Sequence, residues 1–257
     1  MENGSPVLNL DVRDGIFVLV LNRPTAKNAF NLELSRALSD AVDRFESDPK
    51  LLVAVITGAG STFSSGADLK ALLAGERPHT EARGGFGILR RPPDKPLIAA
   101  VEGFALAGGT ELALATDLIV AARDSAFGIP EVKRGLVAGG GGLLRLPTRI
   151  PYAIAMELAL TGDNLSAERA HDLGLVNVLA EPGQALDAAI ALAEKIAGNG
   201  PLAVAATKRI IVESRSWTPE SMWAEQNKIL MPVFSSNDAK EGAIAFAEKR
   251  APRWTGT

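Results

Sequence analysis

The sequence predicts an α/β protein whose core of alternating strands and helices gives way to a run of helices. Three observations carry this reading. Leu51–Ile56 and Leu97–Val101 are continuous apolar runs, as expected of parallel strands buried on both faces and covered by helices. Leu34, Leu38, Val42 and Phe45 recur at helical spacing between the first strands and the first of those runs. Beyond Pro151 the pattern becomes helical.

Taken in order, Val7–Leu10 and Ile16–Leu21 read as paired strands around an Asp14-Gly15 turn. The helix of Leu32–Phe45 lies across them and stops at Asp48-Pro49. Between the two buried runs, Ala74–Lys95 is rich in Gly, Arg and Pro with weak periodicity, and reads as a mobile loop or lid. Gly108–Ala115 is a helix, Leu118–Ala122 and Ala126–Gly128 are strands, and the glycine run Gly139–Gly142 follows. The helices after it are Tyr152–Leu160, one capped by Ser166 and ending near Gly174, Gln184–Ala197, Leu202–Val212, Pro219–Leu230 and Asp238–Lys249. Their apolar stripes must be buried against the core or a second copy, with oligomerisation the expected outcome.

Composition narrows the function. A net charge of −3 over 257 residues gives no general attraction for nucleic acid or an anionic membrane. The chain has no cysteine, which excludes disulfides, thiolate metal sites and a thiol nucleophile and fits a reducing cytoplasm. No apolar stretch reaches membrane-spanning length, so a cytoplasmic protein is expected. Leu51–Gly60 imitates a dinucleotide-binding turn, but Phe63 occupies the place of its third glycine. Tyr152 is followed four residues on by Met156, so the tyrosine–lysine pair of short-chain dehydrogenases is missing. Neither a nucleophile elbow nor a phosphate-binding P-loop occurs, and His79 and His171 are too far apart in sequence to suggest a zinc pair. No metal is expected.

Two glycine-rich turns and two carboxylates remain. Phe63–Lys70 and Gly103–Leu112 each follow a buried strand and open a helix. Helix starts present unpaired N–H groups and a positive dipole end, so two of them converging would hold developing negative charge on a carbonyl oxygen. The plainer alternative is that small residues only allow tight turns and close packing. Glu111 lies one turn into the second helix, and Glu131 follows Gly128-Ile129-Pro130. Singly, each could serve as dipole compensation or a solvated turn residue. As a pair they could position a water and exchange protons with it.

The segments FSSGADLK, KPLIAAVEGFALAGGTELALATDLIVA and FGIPEVKRGLV resemble the signature of the crotonase, or enoyl-CoA hydratase and isomerase, superfamily. LNRPTAKNAFN, LALTGDNLSAERAHDLGLVN and EGAIAFAEKR extend the resemblance over nearly the whole chain, except Ala74–Lys95. The resemblance implies a spiral of ββα units over residues 1–198 and a C-terminal helical region over 199–257 used for trimerisation, giving a homotrimer or a dimer of trimers. It implies an oxyanion hole made by the backbone N–H groups of Ala67 and Gly108. Glu111 would activate water for attack at the β-carbon, and Glu131 would deliver a proton to the α-carbon. Coenzyme A enters as part of the substrate, with no separate cofactor. Lys27, Ala29, Ala67, Asp68, Leu69 and Lys70 would grip it, with Phe246 and Lys249 reaching it from the tail, in some members of a neighbouring subunit. For the lysines, plain surface solvation is the alternative.

Retention of both glutamates favours hydration of an enoyl-CoA. A Δ3,Δ2-enoyl-CoA isomerase, a crotonobetainyl-CoA-type hydratase and a non-catalytic acyl-CoA-binding protein are the alternatives. Ser64-Ser65 replaces a more usual alanine pair, and Val137-Ala138-Gly139 replaces a common Pro-Gly, so an altered acyl pocket is expected. Small residues at 138–142 would leave it room, and Phe86, Ile88 and Leu89 would line it.

Overall fold

The computed structural model describes residues 6–257. Its first hairpin pairs β1 (Leu8–Arg13) with β2 (Ile16–Leu21), and Asp14 and Gly15 take the positive φ angles that a tight turn requires. Asn31 then caps α1 (Leu32–Ser47) by accepting the Leu34 N–H. Next come β3 (Val53–Gly58), the short helix α2 (Leu69–Leu73), and β4 (His79–Thr80) and β5 (Gly84–Gly85), which pair as a small hairpin. They are followed by β6 (Leu97–Val101), β7 (Phe104–Leu106), α3 (Gly108–Ala115), β8 (Leu118–Ala122) and β9 (Ala126–Gly128). The remaining elements are α4 (Gly142–Arg145), α5 (Tyr152–Thr161), β10 (Asn164–Ser166), α6 (Ala167–Asp172), β11 (Val178–Ala180), α7 (Ala185–Ala197), α8 (Pro201–Glu213), α9 (Met222–Phe234) and α10 (Asn237–Glu248).

The main sheet has the order β1-β2-β3-β6-β8-β11 and is parallel from β2 onward. A second sheet, β10-β9-β7, runs beside it. The chain leaves a main-sheet strand, makes a short second-sheet pairing and enters a helix: β6, β7 and α3 form such a turn, and Ser64 bridges Ala105 in the turn before it. Alternation along the strands divides the core in two. Ile16, Val18, Val53, Val55, Ile98 and Val120 face α7, while Phe17, Leu19, Ile56, Ala99 and Ile119 face α1 and the second sheet. Ser166 caps α6 as expected. Helix α9 begins later than Pro219, because Thr218 and Ser221 close a turn through their hydroxyls ahead of it. Among the described residues no helix is long and apolar enough to cross a membrane.

The segment expected to be a mobile lid is instead tied down. Arg83 is 1% exposed and donates to Asp43 Oδ1 (2.8 and 2.6 Å), to Glu46, and to Arg91 O (3.1 Å). Glu46 also accepts the Asp94 N–H at 2.9 Å, so α1 holds the middle of the segment and its C-terminal end. Phe86, Ile88 and Leu89 are consequently core residues. Arg83→Met leaves Glu46 half-buried without its partner, and a loss of about 2–3 kcal/mol is expected by urea unfolding, below the range for fully buried pairs because Asp43 is exposed.

Candidate active site

Two chain segments meet beside α3. Phe30 N–H donates to Gly66 O (2.8 Å) and Asp68 N–H to Phe30 O (2.9 Å), which stitches Lys27–Phe30 alongside Ser65–Asp68. Buried Asn28 orders this corner by donating to Ala59 O (2.9 Å) and Thr62 O (2.7 Å). Lys27, Ala29, Ala67, Asp68, Leu69 and Lys70 therefore share one neighbourhood. Asp68 is committed there: it caps α2 and pairs with Arg23 at 3.0 Å, and although burial works against it, these partners hold its carboxyl below the usual range. Phe246 and Lys249 lie elsewhere, at the end of α10, and Phe246 is 88% exposed. No hydrogen bond among the described residues links them to this neighbourhood.

The two glycine turns converge closely. Gly66, at φ +90°, lies so near the start of α3 that a methyl group on it would stand 2.8 Å from the Gly108 nitrogen. Among the described residues neither the Ala67 N–H, two residues ahead of α2, nor the Gly108 N–H, at the first position of α3, has a hydrogen-bond acceptor. Two unpaired donors thus sit side by side. Phe86 packs its ring over Gly108, where a side-chain carbon would meet it at 2.5 Å, and stacks on Phe30 at 4.2 Å. Ala107 holds the helix start at φ 53°, ψ −127°, a region that glycine occupies far more readily. Ala107→Gly is expected to raise stability by about 1 kcal/mol, seen as a higher denaturant midpoint.

Glu111 is 4% exposed, one turn into α3. Thr110 anchors that turn, donating to Ala105 O (2.6 Å) and accepting the Gly128 N–H (3.0 Å). Glu111 Oε1 accepts the N–H groups of Gly140 (2.7 Å) and Gly142 (2.9 Å), while Oε2 has no hydrogen bond among the described residues. Glu131 sits in a 3₁₀ turn, Pro130–Arg134, and its Oε2 is buried without a partner. Burial pushes its carboxyl above the ordinary range and the negative charge of Glu111 adds to this, against the pull of its own backbone N–H and Arg134. The arrangement offers two free donors to an oxyanion and sets two carboxyl groups in different surroundings, Glu111 on backbone N–H groups and Glu131 desolvated toward its acid form.

Two expectations need correction. The small residues at 138–142 do not simply leave room: a side chain at Gly140 or Gly142 would collide with Glu111, and only Gly139 of that run faces open space. The buried Ser64 hydroxyl is used locally, donating to Asn28 O (2.9 Å) and accepting the Gly66 N–H (3.2 Å). Ile88 is fully buried in the core, whereas Phe86 lies against Gly108 and Leu89 against Gly140. His171 is satisfied by Val176 O at 2.9 Å. The sequence reading did not single out Gly66, Asn28, Ala107 or the pair Gly140 and Gly142. Glycine at 66, inside a helix-opening turn, was the one legible signal.

Comparison with known proteins supports this architecture along the whole chain. The family model for enoyl-CoA hydratase/isomerase matches residues 11–257. The chain is 41% identical to the enoyl-CoA hydratase EchA19 of Mycobacterium tuberculosis, covering 99% of this chain and 98% of that one. It is also 41% identical to the carnitinyl-CoA dehydratase of Proteus mirabilis, over 98% of this chain and 99% of the other. A crystal structure of an enoyl-CoA hydratase from Mycobacterium tuberculosis superposes with a TM-score of 0.97 at 72% identity, covering 98% of this chain and all (100%) of that one. With this fold and a full-length match, the chain belongs to the enoyl-CoA hydratase/isomerase family, the crotonases.

Proposed function

We propose that the protein is an enoyl-CoA hydratase, adding water across the α,β double bond of an enoyl thioester. The observation that carries this reading is the different setting of two carboxyl groups beside a pair of free N–H donors: Glu111 accepts two backbone N–H groups on Oε1 and leaves Oε2 free, and burial pushes Glu131 toward its acid form. The thioester oxygen accepts from Ala67 and Gly108, which drains electron density from the β-carbon. Glu111 takes a proton from water through Oε2 as the oxygen bonds to the β-carbon. The π electrons move to the thioester as an enolate, and Glu131 delivers its proton to the α-carbon. Return of a proton from Glu111 to Glu131 resets the pair, so water is the only reagent consumed.

Coenzyme A is the handle of the substrate, held along Lys27, Ala29 and Ala67–Lys70. Phe246 and Lys249 act from a neighbouring copy in a homotrimer or a dimer of trimers. Exposed Leu144, Tyr152 and Leu160 on α4 and α5, with Trp223, Phe234 and Phe246 on α9 and α10, support that assembly. The test is loss of the conjugated enoyl thioester absorbance with crotonyl-CoA and with a bulkier enoyl-CoA. Consumption by the wild-type protein is expected. Binding of coenzyme A thioesters without turnover of any would overturn the reading. Because carnitinyl-CoA dehydratases match as closely as EchA19, carnitinyl-CoA belongs in the panel.

A further inference from the structure

Glu111 owes its setting to a short glycine segment that has no rigidity of its own. Gly140 and Gly142 supply both N–H groups to Oε1, and Gly141 between them has φ +94°. What holds this segment is Arg145, the last residue of α4. Its guanidinium donates to Gly140 O at 3.2 Å and to Leu89 O at 2.6 Å, and its own N–H donates to Gly141 O at 3.0 Å. The segment is thus gripped by the arginine on its carbonyl side and by the Glu111 carboxylate on its N–H side. Leu89 is the other anchor, a core residue of the segment that Arg83 ties to α1, and its side chain also packs against Gly140.

The electrostatics fit a dedicated grip. Burial disfavours the charge on Arg145, Glu111 favours it, and Arg215 from the turn after α8 opposes it. Arg149 lies close enough to feel Arg145 and donates to Thr116 O. A half-buried cation with no ion pair within contact distance among the described residues is costly unless its hydrogen bonds are needed. Here they run to two carbonyls, and one of those carbonyls belongs to a residue that holds Glu111.

We propose that Arg145 is the positioning residue for Glu111: by clamping Gly140 O to Leu89 O it fixes the two N–H groups that brace Oε1 and leaves Oε2 to work on water. This rests on the hydratase reading and goes beyond it, since Arg145 touches no reacting atom. It acts on one carboxylate only. Glu131 is held by a different turn, Pro130–Arg134, and serves the α-carbon.

The test separates the two carboxylates. Hydration of crotonyl-CoA needs both, whereas exchange of the α-protons of butyryl-CoA with deuterium oxide needs the oxyanion hole and Glu131 alone. For Arg145→Met, hydration kcat should fall about 10²-fold with KM within about threefold, while exchange stays near the wild-type rate. Added methylguanidinium should restore part of the hydration. Arg145→Lys keeps the charge but cannot span both carbonyls, so it should show the same split in milder form and decides the matter if the methionine variant does not fold. Hydration and exchange falling together in a folded variant, or hydration at the wild-type rate, would overturn the proposal. If the wild-type protein hydrates nothing, or Glu111→Gln hydrates normally, it is the hydratase reading that fails instead.

Discussion

Glu111→Gln and Glu131→Gln should each lower kcat for crotonyl-CoA hydration by about 10³-fold, within the range for removal of a positioned acid or base. Their signatures differ. Glutamine at 111 keeps an oxygen for the Gly140 and Gly142 N–H groups, so the frame persists and only the base is lost. The α-proton exchange of butyryl-CoA should therefore survive Glu111→Gln and vanish in Glu131→Gln. Both variants should still bind coenzyme A thioesters, since neither group is assigned to that grip. Comparable hydration by either variant would remove that glutamate from the chemistry.

Glu131→Gln carries a second consequence, for stability. Burial raises the Glu131 carboxyl above its ordinary value of 4.5, so the native state binds this proton more tightly than the unfolded chain. The stabilisation from that proton is complete below the unfolded value and disappears as pH rises through the native one. Above the unfolded value the Glu131 carboxyl therefore works against folding, and its buried oxygen has no partner to offset this. The glutamine variant should be less active yet more stable near pH 7, by about 1 kcal/mol, and the gap should close toward pH 4. Denaturant midpoints across that range measure it.

Gly66→Ala should lower kcat/KM by about 10²- to 10³-fold, the loss seen when an oxyanion donor is removed. Its methyl group would stand 2.8 Å from the Gly108 nitrogen and 3.1 Å from the Ala107 side chain, which covers one donor and displaces the other. Backbone strain at φ +90° would add a stability loss of about 1 kcal/mol. Gly75→Ala separates the two effects. Gly75 has φ +86° with nothing within 4 Å of a side-chain carbon, so that variant carries the strain without the plug and should turn over normally. Equal losses of activity in the two variants would mean that strain, not coverage of the donor, explains Gly66→Ala.

Periodicity made most of the framework readable. The apolar runs at Leu51–Ile56 and Leu97–Val101 became β3 and β6, and the stripe of Leu34, Leu38, Val42 and Phe45 became the buried face of α1. Local chemistry located the helix starts only in part: the Ser166 cap was legible, whereas the caps at Asn31 and Asp68 emerged only from the structure. The Ala74–Lys95 segment defied the same treatment because its order comes from Arg83 meeting Asp43 and Glu46, partners about forty positions away in sequence.

What the sequence determined by itself is therefore whatever depends on neighbours along the chain: strand and helix type, the two helix-opening glycine turns, and the presence of Glu111 and Glu131. Tertiary structure alone decided what these groups can do. Gly66 reaches Gly108 across forty-two residues, and Gly140 and Gly142 reach Glu111 across twenty-nine and thirty-one. A donor becomes free, or a carboxylate becomes an acid or a base, only when distant segments exclude water and set its partners, and residue order does not encode that desolvation locally.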